Sequence, residues 1–511
     1  MSRSGPNILF ITTDQQHPDY IGACTPRLKT PNLDRLCVEG TRFSRAYVCC
    51  PLCTPARASW ITGQYPFRHG AWGVGTVLDK HCLSLPALLG EAGYRTAMIG
   101  KSHLEPGERH AVPDLTEGMA RDGDADYFRT WTGPWYGFDH AEINVGHCDE
   151  DHSASAHYRV WLRDHGVDIG RYFGRHGPSF YRPRVWELPE PFHPCAWIAE
   201  RSEAYLREHV ALHPDRPFFL NINLPEPHGP MHTPEPWYSM YRDMPLGAPK
   251  RRAGEWRDKP TITQAVREGR TAALGWHGRF EMANVHTLVP HPYAGTAYTD
   301  REAEIIRIYC GMISLMDHYL GRVLDALDDV GLSHDTLVVF SSDHGDYMGD
   351  HFLMGKGACH YDGCVRVPTL ARWPGTVKAG EVCKALINNI DIAPTFLAAA
   401  GLPVHPAMQG VSQLDVLCSR GATARDGVLV DFRAEAGLYV NSWITDRYRL
   451  SVHHTPTGNE VELYDLTQDP DEFINLAAEG RNGDLVARLM AELLAERSRT
   501  ALPWQPRIAF A

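Results

Sequence analysis

Long apolar runs are what this 511-residue sequence most plainly lacks. None is long enough to span a bilayer. The opening Met1-Ser2-Arg3-Ser4-Gly5-Pro6-Asn7 leads straight into a short strand, without the apolar core and cleavage site of a signal peptide. A cytoplasmic protein with no membrane partner is the expectation. No basic run stands out either. With a net charge of −12 the chain has no field to attract nucleic acid, and an anionic substrate would have to be met by local cations. The 13 cysteines follow no framework spacing. Cys49-Cys50-x-x-Cys53 is followed by no second Cys/His pair at ligand spacing, which argues against zinc and leaves most thiols as small buried side chains. Internal repeats and low-complexity tracts are absent. What remains is an ordinary globular composition, 43% hydrophobic and 22% charged, on a chain long enough for a large α/β domain and a smaller one.

What is present is a set of apolar strands that each run into a polar residue. Asn7–Thr13 is a continuous β-branched run ending in Asp14. Tyr94–Gly100 ends in Lys101-Ser102-His103, and Pro217–Leu224 enters Pro225-Glu226-Pro227-His228, where the prolines stiffen the histidine's position. Thr336–Ser342 ends in Asp343-His344. Such runs read as strands buried on both faces, and open α/β sheets place ligands in the crevice at the carboxyl ends of their strands. Helices are legible between them. One starts at Thr30, with Leu33, Leu36 and Val38 inward. Another spans Glu304–Asp329, apolar at three- and four-residue steps and stopped by Gly331, with Asp317 in a structural role. A last one runs from about Gly483 to Arg499, packing Leu485, Leu489, Leu493 and Leu494. Val365–Leu370 reads as a further core strand. Val428–Phe432, Gly437–Asn441, Tyr448–Val452 and Val461–Asp465 read as short antiparallel strands. The prediction is an α/β fold, a large mixed but mostly parallel sheet sandwiched by helices over residues 1–414. It carries loop-rich insertions at about 105–200 and 231–300, and a small α+β subdomain follows at 415–511.

The most distinctive stretch is Cys53-Thr54-Pro55-Ala56-Arg57. Pro55 suits a first helical turn, so Cys53 falls at or just before a helix N-terminus, where free N–H groups and the dipole favour an anion. Arg57, one turn on, reaches back to the same point. By itself the pentapeptide equally fits a buried cysteine beside a surface arginine. The whole block, from Pro51 through Thr62-Gly63 to Arg68-His69-Gly70, resembles the signature of the type I sulfatases and of the related phosphonate monoester hydrolases in the alkaline phosphatase superfamily. Thr30-Pro31-Asn32-Leu33-Asp34, Gly100-Lys101-x-His103, Pro227-His228-x-Pro230, Asp343-His344, Gly355-Lys356 and Glu462-Leu463-Tyr464-Asp465 are similar to the family as well, so that the likeness covers nearly the whole chain except the two insertions.

The resemblance implies an alkaline phosphatase-like fold in which Cys53 is oxidised to Cα-formylglycine by a formylglycine-generating enzyme. It implies a divalent metal held by Asp14, Asp343, His344 and residue 53. Ca²⁺ suits the oxygen-rich donors, and the histidine makes Mn²⁺ or Mg²⁺ an alternative. Lys101, His228 and Lys356 would grip the ester oxygens, with Gln15 also placed among the substrate-binding residues. Arg57 would orient the formylglycine hydrate, His228 or Lys356 would protonate the leaving alcohol, and His103 would act as base on the hydrate's second hydroxyl. Two departures stand out. Many sulfatases carry a second Asp where this chain has Gln15, as the phosphonate hydrolase and choline-sulfatase-like branches do. The family's Asn after Arg-His-Gly has no counterpart in Ala71-Trp72-Gly73-Val74-Gly75-Thr76. The expected activity is hydrolysis of small sulfate esters. The alternative is a phosphonate monoester or phosphodiester hydrolase, which Gln15 and His344 favour and Lys101-x-His103 opposes. A third reading is a non-catalytic metal- or anion-binding protein in which Cys53 stays a thiol. The long insertions, on fold-level analogy, are compatible with a homo-oligomer.

Overall fold

A computed structural model describes residues 5–107, 115–118, 125–148, 150, 153–174, 181–268, 296–418, 425–434, 437–455 and 458–501. Parts of both predicted insertions, and the ends of the two predicted domains, lie outside these residues. The main sheet has eight strands: β1 (Asn7–Thr13), β2 (Thr41–Phe43), β3 (Arg95–Lys101), β4 (His140–Asn144), β5 (Phe218–Asn223), β6 (Thr336–Ser342), β7 (Thr369–Arg372) and β8 (Glu381–Cys383). Their order is β8-β2-β7-β6-β1-β5-β3-β4. Only β7 runs against its neighbours, pairing antiparallel with β6 and β2. β1 lies in the middle, parallel to β5 on one side and β6 on the other, and every residue of it is buried.

Alternation along β1 sends Leu9 and Ile11 into one hydrophobic cluster and Ile8 and Phe10 into another, so each face of the sheet is covered. The first face carries α1 (Pro31–Glu39), α3 (Pro194–Leu212) and α4 (Asp300–Asp329). The second carries α2 (Cys53–Thr62) and α5 (Ile392–Ala399). A separate antiparallel sheet, β9 (Val428–Arg433), β10 (Tyr439–Ile444), β11 (Tyr448–Thr455) and β12 (Gly458–Asp465), packs with α6 (Gly483–Ala501) around a third cluster. Among the described residues no helix is long and apolar enough to cross a membrane. All thirteen cysteines are free thiols.

Several sequence expectations shift. The long helix begins at Asp300, four residues before the periodic pattern starts, because Thr299 and Glu302 form a capping box: each side chain accepts from the other's backbone N–H. Val38 and Leu494, expected to face inward, are 70% and 62% exposed, since each sits past the apolar stripe of its helix. The stretch read as a strand from Val365 to Leu370 splits into a helical turn at Asp362–Val365 and the short reversed strand β7. The segment read as irregular between 105 and 200 holds two elements of the main layer, β4 and the start of α3. β4 carries Glu142, ion-paired with Arg201 and His140, so it lacks the continuous apolar signature of its neighbours.

Candidate active site

The strand tips on which the sequence placed polar residues lie at one edge of the sheet. Asp14 follows β1, Lys101 closes β3, His228 lies on the loop after β5, and Asp343 and His344 follow β6. Backbone bonds tie these tips together: Asp14 N–H donates to the Glu226 carbonyl (3.2 Å) and Asp343 N–H to the Thr13 carbonyl (3.1 Å). α2 points its N-terminus at the same place. Leu52 in extended conformation caps it, and Cys53 is its first residue.

Cys53 is wholly buried. Its sulfur lies 2.9 Å from Lys356 Nζ, 3.2 Å from His344 Nε2 and 3.6 Å from Asp14 Oδ1. His103 and His228 stand close enough to it to feel its charge. Burial and the Asp14 charge oppose a thiolate there, but the ammoniums of Lys356 and Lys101 lead the groups that outweigh them and hold the thiol well below its ordinary pKa. Burial likewise pushes the Asp14 carboxyl up. The ammonium of Lys101, with Arg57 behind it, overcomes burial and keeps Asp14 ionised. Asp343 goes the other way: burial and the neighbouring Asp14 raise it. Burial, with the Lys356 ammonium adding to it, drives His228 down to about 3, and burial with Lys101 lowers His103 too, so both imidazoles stand neutral at physiological pH.

Arg57 does not spend its guanidinium on residue 53. Nε donates to Asp343 Oδ2 (2.9 Å), Nη2 to Asp14 Oδ2 (3.3 Å) and Nη1 to the Lys101 carbonyl (2.9 Å), so one side chain clamps three strand tips. Asp343 is further held by the backbone N–H groups of Gln15 (3.1 Å) and His344 (2.9 Å) on Oδ1.

Asp14, Cys53, Asp343 and His344 each present a ligand atom within 4.8 Å of the others, all buried. The donor set fits a divalent cation for a specific reason. His344 Nδ1 gives its proton to the Gly345 carbonyl (2.9 Å), which turns the Nε2 lone pair toward Asp14 Oδ1 (3.5 Å) and Asp343 Oδ1 (3.6 Å). Acceptors facing one another in a dry site are stabilised by a cation among them.

The structure thus gathers Asp14, Cys53, Arg57, Lys101, His103, His228, Asp343, His344 and Lys356 at one point. Gln15 is different. Its backbone takes a left-handed φ of 63° and its amide donates to Asp346 Oδ2 (2.6 Å), a carboxylate that also accepts from Tyr181, so its side chain is turned to Asp346 and not to residue 53. Sequence reasoning also passed over His147, on the loop after β4, whose Nε2 meets the Lys101 ammonium and lies 3.4 Å from Asp14 Oδ2. The rule that found the other tips would have found it had β4 been recognised as a strand.

Residues 6–402 match the Sulfatase family model, and residues 349–499 match that of the N-sulphoglucosamine sulphohydrolase C-terminal region. The chain belongs to the sulfatase family. It is 30% identical to an arylsulfatase of Clostridium perfringens over 92% of this sulfatase and 90% of that protein. It is 28% identical to the multifunctional alkaline phosphatase superfamily protein PehA of Trinickia caryophylli, over 98% and 95% of the two chains. The phosphonate monoester hydrolase of Agrobacterium radiobacter superposes with a TM-score of 0.76 at 26% identity, covering 97% of this sulfatase and 96% of the other chain. The sheet described above is therefore the alkaline phosphatase-like one, and membership places the chain among the sulfuric ester hydrolases. Sulfatases generally use a metal ion and a formylglycine, and the buried Asp14–Cys53–Asp343–His344 group is where a metal fits in this one.

Proposed function

We propose that this sulfatase hydrolyses sulfate esters of small organic molecules at residue 53, after a formylglycine-generating enzyme has converted Cys53 to Cα-formylglycine. The observation that carries the reading is the ring of cations and neutral imidazoles around Cys53, with Lys356 Nζ in contact with its sulfur and the carboxylate–histidine cluster on the other side. A divalent cation held by Asp14, Asp343, His344 and residue 53, with Ca²⁺ the best match to the oxygens and Mn²⁺ or Mg²⁺ the alternatives, would lower the pKa of a hydroxyl on the hydrated aldehyde. Lys101 and Lys356, with His228 beside them to bound the pocket, offset the negative charge that grows on the ester oxygens. Lys356 is the proton donor to the leaving alcohol, since the neutral His228 accepts from it at 3.2 Å. His103, neutral and beside residue 53, would take a proton from it. Arg57 acts from behind by fixing both carboxylates, and Gln15 supports Asp343 through its backbone N–H. A cytoplasmic location, a homo-oligomeric assembly and a division of the chain near residue 414 belong to the same reading.

Phosphonate monoester or phosphodiester hydrolysis by the same residue is the second reading, favoured by Gln15, His344 and the similarity to a phosphonate monoester hydrolase structure. Turnover of an aryl sulfate and an aryl phosphonate ester, measured side by side, separates the two: faster sulfate hydrolysis is expected, and the reverse order would overturn the first. Mass spectrometry of the peptide bearing residue 53, from the native host, is expected to show formylglycine. An unmodified thiol in active protein would remove the nucleophile proposed here.

A further inference from the structure

His147 belongs to none of the motifs that identified the site, yet it touches more of it than most. Its Nδ1 lies 3.1 Å, and its backbone N–H 3.0 Å, from the same Glu150 oxygen, Oε2. Nδ1–H is thereby given to a carboxylate, and the Nε2 lone pair is turned inward. There it meets the ammonium of Lys101, which also bonds Asp14. The ring lies flat on His228, with centroids 3.6 Å apart and planes 12° from parallel. Asp14, His147 and His228 present ligand atoms within 4.8 Å of one another, and the first two of them bond the Lys101 ammonium.

An ammonium has three N–H donors on a stem with four rotatable bonds. Paired with Asp14 alone, Lys101 would be free to swing about the carboxylate and would spend its charge there. With a second acceptor at His147 Nε2, two donors are fixed and the third is left for an ester oxygen. We infer that His147, braced by Glu150, is a positioning residue of the sulfate-ester site, setting the ammonium of Lys101 on one side and the ring plane of His228 on the other. This rests on the reading above that Lys101 and His228 grip the ester. Positioning of this kind is worth about tenfold to a hundredfold in rate.

The test is a double-mutant cycle with an aryl sulfate as substrate. His147→Ala is expected to lower kcat/KM tenfold to a hundredfold with unchanged Tm and unchanged conversion of residue 53. The pair His147→Ala with Lys101→Ala is expected to be no worse than Lys101→Ala alone. His147→Gln, whose amide oxygen can accept from Lys101, should recover part of the loss, and Glu150→Gln should lose several-fold less than Glu150→Ala. Full activity of His147→Ala, or losses at 147 and 101 that multiply, would overturn the assignment. Should His147→Ala not fold, His147→Gln and Glu150→Ala carry the same cycle. Binding of inorganic sulfate to the same proteins, followed by calorimetry, reads the coupling without turnover. A wild type that hydrolyses no aryl sulfate overturns the small-ester reading above while the binding cycle still decides this one, and a wild type that binds no sulfate at all overturns the positioning role.

Discussion

A single guanidinium shows how much of this site is electrostatic bracing. Arg57 is 1% exposed and joins Asp14, Asp343 and the Lys101 carbonyl, so its charge keeps two carboxylates in register across β1 and β6. Even so, Asp14 Oδ1, Asp343 Oδ1 and His344 Nε2 face one another as acceptors, and the guanidinium reaches only the opposite carboxylate oxygens. Chelator treatment is therefore expected to lower both Tm and aryl sulfate turnover, with recovery on adding Ca²⁺ or Mn²⁺, because an ion that binds only the folded chain stabilises it by mass action. A thermal melt and an activity unchanged by chelator would show that the cluster holds no ion.

At the scale of single elements, much of the stability sits in side chains that reach from one element to the end of another. Asp317, inside α4, accepts from the backbone N–H groups of Asn32 (3.1 Å) and Leu33 (2.8 Å) and so caps α1, whose own Thr30 makes no cap bond. That structural role was legible from the sequence, whereas its partner was not. A second buried carboxyl, Glu117, accepts from the N–H groups of Leu104 (2.9 Å) and Glu105 (3.3 Å), just beyond Lys101 and His103. Burial and the adjoining Glu105, itself 3.2 Å from Lys80 and 3.4 Å from the Tyr136 hydroxyl, push Glu117 up to about 8 from an ordinary value near 4.5. A carboxyl that holds its proton when folded gives stability that is complete below its unfolded pKa and is lost as pH rises through the folded one. Between pH 4.5 and 8 the loss is roughly 4–5 kcal/mol. Asp317, pushed up by burial to about 7, adds in the same direction. Denaturant midpoints at pH 5.5 and 8 should fall with pH in the wild type and fall less in Glu117→Gln, whose amide can still accept from both N–H groups. Equal slopes would count against a buried proton at Glu117.

Over the whole molecule, the C-terminal sheet is joined to the main one by a chain of alternating charges. Lys250 pairs with Asp19 (2.7 Å), Asp19 with Arg366 (3.0 Å) and Arg366 with Asp362 (2.8 Å). Asp362 then pairs with Arg449 on β11, and Arg449 with Glu472. Arg449 is fully buried and also lies over the Tyr47 ring at 5.9 Å. Removing Arg449 leaves the buried Glu472 without its cation and Asp362 with Arg366 alone, so Arg449→Ala is expected to cost about 3–5 kcal/mol in a denaturant titration, with residue 53 and its neighbours untouched. A loss below 1 kcal/mol would mean that water reaches this interface. The partners lie far apart in the chain, from Asp19 to Glu472, which is why the network is invisible in the chain order.

The sequence alone determined the parallel strands, because burial on both faces forces continuous β-branched runs, and it determined the polar tips, because each tip follows its run directly. It also placed Cys53 at a helix start, which Pro55 and the following turn dictate locally. Only the tertiary structure decided that Arg57 clamps carboxylates, that Gln15 turns to Asp346, that β4 completes the sheet, and that His147 stands between Glu150 and Lys101. Each of these is a choice among partners distant in the chain, settled by which donor and acceptor the packed strands bring within about 3 Å, and no local spacing encodes it.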